Sequence, residues 1–222
     1  RLAEESGDAE RLVEALERRV LAEPDDKKPD VLVRLARLHE ERLGQVEHAL
    51  RCYEDARMLA PDRDEVALHL RRIYEATSRH TALAELLDEL AIRAPNDEMR
   101  FSLLRDRARL LRDVMKEPAL AAEAYREMRT IREDDEALLS LLAQARKTEA
   151  WNELAELAAV RLERTTDAAE RRELAMERAT VLLDHLLDPG AGETQLLALR
   201  QTDPTFVPAV ARLASVYQEM GE

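Results

Sequence analysis

The sequence predicts an all-α solenoid built from antiparallel helix pairs, and three observations predict it. The first is periodicity. Pro61 and Pro95 lie 34 residues apart, while Tyr53 and Tyr125, and Ala36 and Ala108, lie 72 apart. Ala108 and Ala179 are separated by 71, and Leu12, Leu83 and Leu154 step by 71 each time. Fixed periods of this length mark folds in which each unit buries its apolar face only against its neighbours. The second is composition. Five Gly and eight Pro in 222 residues leave little room for hairpin turns, and the abundant Leu, Ala, Glu and Arg are strong helix formers. The third is spacing, because apolar residues recur three and four apart, which places them on one helical face.

The elements follow in order. A first helix reads Leu32-x-x-Leu35-Ala36-x-x-His39, and a second reads Ala49-x-x-x-Tyr53-x-x-Ala56, closed by Pro61. The small residues let two antiparallel helices approach closely, and Pro61 stops the second helix. The next pair carries Ala67, Leu70 and Tyr74, then Leu83, Leu87, Leu90 and Pro95. Leu104, Ala108 and Leu111 precede Ala121, Tyr125 and Met128; Leu138, Leu141, Leu142 and Ala145 precede Leu154 and Ala158. The fifth pair has Ala179, Leu182 and Leu183, then Leu196, Leu199 and Pro204, and a last helix carries Val210, Leu213, Ala214 and Tyr217. Long connections (Gly44-Gln45, Glu117-Pro118, Asp188-Pro189) alternate with short ones (Ser78-Arg79, Glu149-Ala150), which gives a block of two pairs.

These spacings resemble the tetratricopeptide repeat family, whose pattern is a small residue and aromatics at such positions with a closing Pro. The resemblance covers essentially the whole chain. It departs from the family at Arg71 and Leu142, where a small residue is preferred, and at Glu133, where a Pro is expected. It implies a right-handed superhelical solenoid, here one domain over residues 1–222 with about six helix-pair units and twelve or thirteen helices. The alternating blocks look like those of large bacterial repeat proteins. Ala3–Gly7 and Tyr217–Gly221 occupy the same register as Tyr74–Ser78. Both ends are therefore expected to fall within the same helix of the block, as in a stretch of a longer solenoid.

Composition narrows the function classes. The formal charge of −13 argues against a nucleic-acid partner, which usually meets a basic footprint. No apolar run approaches the ~18 residues of a membrane span. Cys52 is the single cysteine, so no internal disulfide forms and a reducing, cytoplasmic setting is expected.

Catalytic chemistry finds no constellation, and no enzyme, metal or cofactor is expected. Among His39, His48, His69, His80 and His185 no two stand four apart, as a helical zinc pair requires. Cys52, beside Tyr53, reads as a small buried hydrophobe. Pro189-Gly190-Ala191-Gly192-Glu193-Thr194 lacks the Gly-Lys-Ser/Thr ending of a phosphate loop and reads as a connection between helices. Acidic pairs such as Asp25-Asp26 and Asp134-Asp135 fit helix N-termini. Trp151 and the tyrosines read as core.

In tetratricopeptide-like solenoids the first helix of each unit lines the concave face. The resemblance thereby selects Val33, Arg37 and Glu40; Leu68, Arg72 and Glu75; Arg105, Arg109 and Arg112; Leu139, Ala143 and Arg146; and Met176, Thr180 and Leu183, with Arg34 and Lys147 beside them. Arg37, Arg72 and Arg109 would stack as a basic stripe flanked by Leu68 and Leu139. The functional reading is a groove for a protein or peptide segment, acidic in character, because arginine forks suit carboxylates. The competing reading is local helix pairing, Arg37 with Glu41, Arg72 with Glu75 and Arg109 with Asp113. The family's carboxylate clamp uses Lys and Asn, and no Asn stands at the matching positions. A second function class is a structural spacer or oligomerisation solenoid within a larger protein, with end-to-end contacts to further repeats.

Overall fold

The structure, a computed structural model, describes the backbone of residues 2–220 and the side chains of residues 8–218. Among these residues it consists of twelve α-helices and three π-helical turns, with no strand. Two compact units divide at Asn96/Asp97. The first holds α1 (Leu2–Ala22), α2 (Lys28–Arg37), α3 (Val46–Leu59), α4 (Asp64–Ala76) and α5 (His80–Arg93). The second holds α6 (Asp97–Arg109), α7 (Pro118–Ile131), α8 (Asp135–Thr148), α9 (Trp151–Arg164), α10 (Ala168–Thr180), α11 (Pro189–Thr202) and α12 (Val207–Met220).

Within each unit the substantial helix contacts join sequence neighbours, which is the nearest-neighbour logic of a repeat array. Connections of a few residues turn each helix back on the one before. The small positions make this close packing possible: Ala36, Ala108 and Ala179 are all fully buried. Tyr53 and Tyr125 are buried beside them, as the block period predicts. Several helix starts are capped by aspartates. Asp134 accepts the amide of Ala137 at 3.0 Å, Asp167 that of Ala169 at 2.9 Å, and Asp188 that of Ala191 at 2.9 Å. Such a cap contributes about 1 kcal/mol.

The 71–72-residue block has a structural cause. The π-helical turns Leu38–Arg42, Leu110–Val114 and Val181–His185 extend α2, α6 and α10 at that interval. Each closes with an i→i+5 bond: Leu43 N–H to Leu38 O at 3.3 Å, Met115 to Leu110 at 3.0 Å, and Leu186 to Val181 at 3.0 Å. A left-handed residue follows each one, namely Gly44, Lys116 and Leu187. Short-connection pairs end instead in an ordinary α-turn with a left-handed Ser78 or Glu149.

Four expectations are corrected. Pro189–Gly192 is not a connection but the first turn of α11, because Asp188 caps it and Pro is well placed at a helix start. Gly192 sits where the earlier blocks have the buried Ala49 and Ala121, and a Cβ there would lie 2.5 Å from Leu183 Cγ. Trp151 is half-buried rather than core, stacked on the exposed His185 with ring centroids 3.8 Å apart. Val33 is buried rather than groove-facing, since it packs on the inner side of α2. The register at Ala3–Gly7 matches a helix end, yet α1 runs unbroken from Leu2 to Ala22. The matching position at Gly221 lies outside the described residues.

Candidate protein-binding face

The first helices of the pairs carry most of the predicted site residues, and neighbouring carboxylates neutralise most of their arginines. In the first unit, Arg37 pairs with Glu65 on α4, and Arg72 on α4 pairs back with Glu40 in the π turn after α2. Glu40 also accepts the Tyr53 hydroxyl at 3.4 Å and lies 3.9 Å from His69 Nδ1. The Tyr53 and His69 rings stack at 4.7 Å. Burial pushes the His69 imidazole below its ordinary range; Glu40 opposes that shift, while Arg37 and Arg72 reinforce it. Burial and the charge of Glu40 raise the Tyr53 phenol well above its usual value. Leu68 is 68% exposed on α4. Arg34 is exposed and lines a shallow cleft of about 470 Å³ between α1 and α2, together with Leu12, Arg37 and Glu41.

The second unit repeats the device one block later. Arg109 donates to both oxygens of Glu136 at 2.6–3.1 Å. Arg112 donates to the Tyr125 oxygen at 2.6 Å, to Ser140 Oγ and Glu136 Oε1 at 2.9 Å each, and to the adjacent Asp113. The Arg109 and Arg112 guanidiniums hold the Glu136 carboxyl below the usual range against its partial burial. Arg146 on α8 forks onto Glu177 of α10 at 2.6 and 2.7 Å. Arg105 is half-buried, with its guanidinium 5.8 Å from the Phe101 ring and its Nε buried without a hydrogen-bond partner among the described residues.

Leu139, 48% exposed, is shared by two clefts on this face. One, about 400 Å³, is lined by Arg112, Tyr125, Ser140 and Lys147. The other, about 440 Å³, is lined by Arg146, Glu173, Leu174 and Glu177.

The local pairing offered by the sequence is not what forms. The partner of Glu75 is Arg71, at 3.0 Å, while Arg72 reaches Glu40. Arg37 and Arg109 find acids 28 and 27 residues away. The sequence reading missed Glu65, Glu136 and Glu177 as partners. Their signal was present: Glu65 and Glu136 recur one block apart and each stands just under one repeat after its arginine.

Burial, with Asp55 and Glu17, pushes the Cys52 thiol up to about 11. Among the described residues no group of three His, Cys, Asp or Glu is placed to hold a metal ion. Nor is any helix among them long and apolar enough to cross a membrane.

No family model and no curated protein matches the chain. It is similar to solved structures. One is YrrB, described as a TPR protein with an unusual peptide-binding site (15% identity, 90% of this chain and 98% of that one covered, TM-score 0.37). Another is TTC0263, a thermophilic TPR protein of Thermus thermophilus (16% identity, 86% and 99% covered, TM-score 0.32). A third is the Cut9–Hcn1 hetero-tetramer of the APC/C (13% identity, 96% of this chain and 47% of that one covered, TM-score 0.33).

Proposed function

We propose that the chain is a protein-binding repeat array that holds a partner segment along the faces of its first helices. In the second unit Leu139 is the apolar anchor and Arg105, Arg109, Arg112 and Arg146 form the polar rim; within the first unit Leu68 is the anchor and Arg34, Arg37 and Arg72 form the rim. The observation that carries this reading is Leu139, an exposed leucine shared by two adjoining clefts and ringed by charged side chains. Exposed apolar residues inside a polar rim are the usual anatomy of an interaction site. An acidic partner is compatible with the paired arginines. A guanidinium has five N–H donors, and Arg146 commits two of its nitrogens to Glu177.

The test is a photo-cross-linking amino acid at position 139, with position 92 on the opposite helix of a pair as control. A partner segment captured from 139 alone is then made as a peptide and titrated. Leu139→Asp is expected to weaken that peptide at least tenfold, the loss typical of a central anchor. Arg37→Glu with Arg109→Glu is a poorer probe, because both side chains also tie neighbouring pairs together. If position 139 captures no segment, or Leu139→Asp leaves affinity intact, the binding reading fails and the spacer reading replaces it.

A further inference from the structure

The second unit contains a cleft of about 620 Å³ between α9, α10 and α11, away from the face described above. A cleft of about 520 Å³ lies between α3, α4 and α5 in the same way, and what sets the α9–α11 cleft apart from the block before it is the chemistry of a few repeat positions. Arg172 stands 71 residues after Phe101, whose ring is buried in the preceding block. Arg132 lies over that ring at 3.9 Å. One block on, the position of Phe101 holds Arg172 and that of Arg132 holds Asp203, which takes Arg172 at 2.9 Å, while the Phe206 ring lies 5.9 Å from the Arg172 guanidinium. Likewise Gln195 stands where the preceding block has the buried Ala124.

Two arginines of this opening are held by neutral acceptors, unlike the acid-paired arginines of the first-helix face. Arg178 donates from Nε to Ala155 O at 3.1 Å and from a terminal nitrogen to Gln195 Oε1. Arg171 donates to Thr165 O at 3.2 Å. Both guanidiniums are positioned by neutral oxygens, so their charges are not cancelled as those of Arg109 and Arg146 are. Asp203 is engaged by Arg172 and Thr205, which leaves Glu163 as the one other acid on the lining among the described residues. Apart from Thr202, whose hydroxyl is spent on the α11 carbonyls of Ala198 and Leu199, the remainder of the wall is apolar, with Leu162 and Leu199. A positive centre fixed against an apolar wall, in a chain of net charge −13, selects an anion that carries an apolar body.

We propose that this cleft binds a small organic carboxylate with an apolar chain, its carboxylate on Arg178 and Arg171 and its chain along Leu162 and Leu199. The volume is in the range of small-molecule sites. The site is independent of the protein-binding face and stands or falls separately from it.

The test is titration of the full chain with octanoate, followed by amide NMR shifts of α9–α11. Octanol serves as the neutral control and inorganic phosphate as the anion without an apolar body. Octanoate is expected to give saturable shifts, with both controls at least tenfold weaker. Arg178→Gln should weaken octanoate about tenfold or more, as loss of a charged hydrogen-bond donor does. Glu163→Gln should tighten it two- to threefold by removing the opposing charge. Arg171→Gln is the substitute if Arg178→Gln does not fold. Absence of saturation, equal binding of octanol or phosphate, or indifference to the arginine substitution would overturn the proposal.

Discussion

Gly192→Ala in α11 should change sign with its surroundings. A Cβ built on Gly192 lies 2.5 Å from Leu183 Cγ and 2.6 Å from Leu183 Cδ2. Those distances are inside van der Waals contact, so the Leu183 side chain must shift away from its packed position. Overpacking of this kind costs about 1–3 kcal/mol. Against it stands the helix preference of Ala over Gly, about 1 kcal/mol in a helix interior. The net expectation is a loss of about 1 kcal/mol in the native background. In a Leu183→Ala background the clash is absent and only the propensity term remains, so the same substitution should stabilise by up to about 1 kcal/mol. Urea unfolding of the four proteins closes a double-mutant cycle with a coupling near 2 kcal/mol. Equal effects of Gly192→Ala in the two backgrounds would refute the packing argument.

Three further outcomes are expected. Leu187 holds φ = +53° while 78% exposed; Leu187→Gly should stabilise by about 1 kcal/mol in urea unfolding, since the left-handed penalty exceeds the entropy Gly costs. The Arg109–Glu136 pair should show a coupling of about 1 kcal/mol by double-mutant cycle, the upper end for exposed pairs because the contact is bidentate and shared with Arg112, and it should shrink in 1 M salt. The Glu136 carboxyl is depressed in the folded chain by Arg109 and Arg112, from an ordinary value of 4.5. The unfolded state therefore binds that proton first, so the contribution is complete above about pH 4.5 and disappears as pH falls through the lower folded value; Glu136→Gln should flatten this part of the acid limb of a stability–pH curve.

The helices were legible because their determinants are local. Ala36, Tyr53 and Pro61 each specify a neighbour three, four or a few residues away, and recurrence one block later confirms the register. Site electrostatics were not legible by the same route. Arg37 has an acid four residues on at Glu41, and sequence distance alone favours that partner. In three dimensions the long side chain of Arg37 reaches Glu65 at the start of the next first helix. A period that identifies equivalent residues also identifies residues that lie side by side, so the search for partners belongs one repeat away. Trp151 shows the complementary failure. A large ring at a helix start was read as core, but its ring stacks on the exposed His185, which a pattern of buried positions cannot reveal. The α9–α11 cleft was invisible for a third reason, since what distinguishes Arg171 and Arg178 is that they meet the neutral oxygens of Thr165, Ala155 and Gln195, which spacing does not show.

The described ion pairs never reach further than 34 residues along the chain, the span from Glu98 to Arg132. Contacts this local place each unit among fast-folding topologies, because little chain entropy is spent before the first helix hairpin forms. They also let one hairpin open while the next stays closed. Trp151, the single tryptophan, touches the end of the α10 turn through His185. A melting temperature read from its fluorescence therefore describes the α9–α10 neighbourhood, and one read from ellipticity describes the average over all the helices.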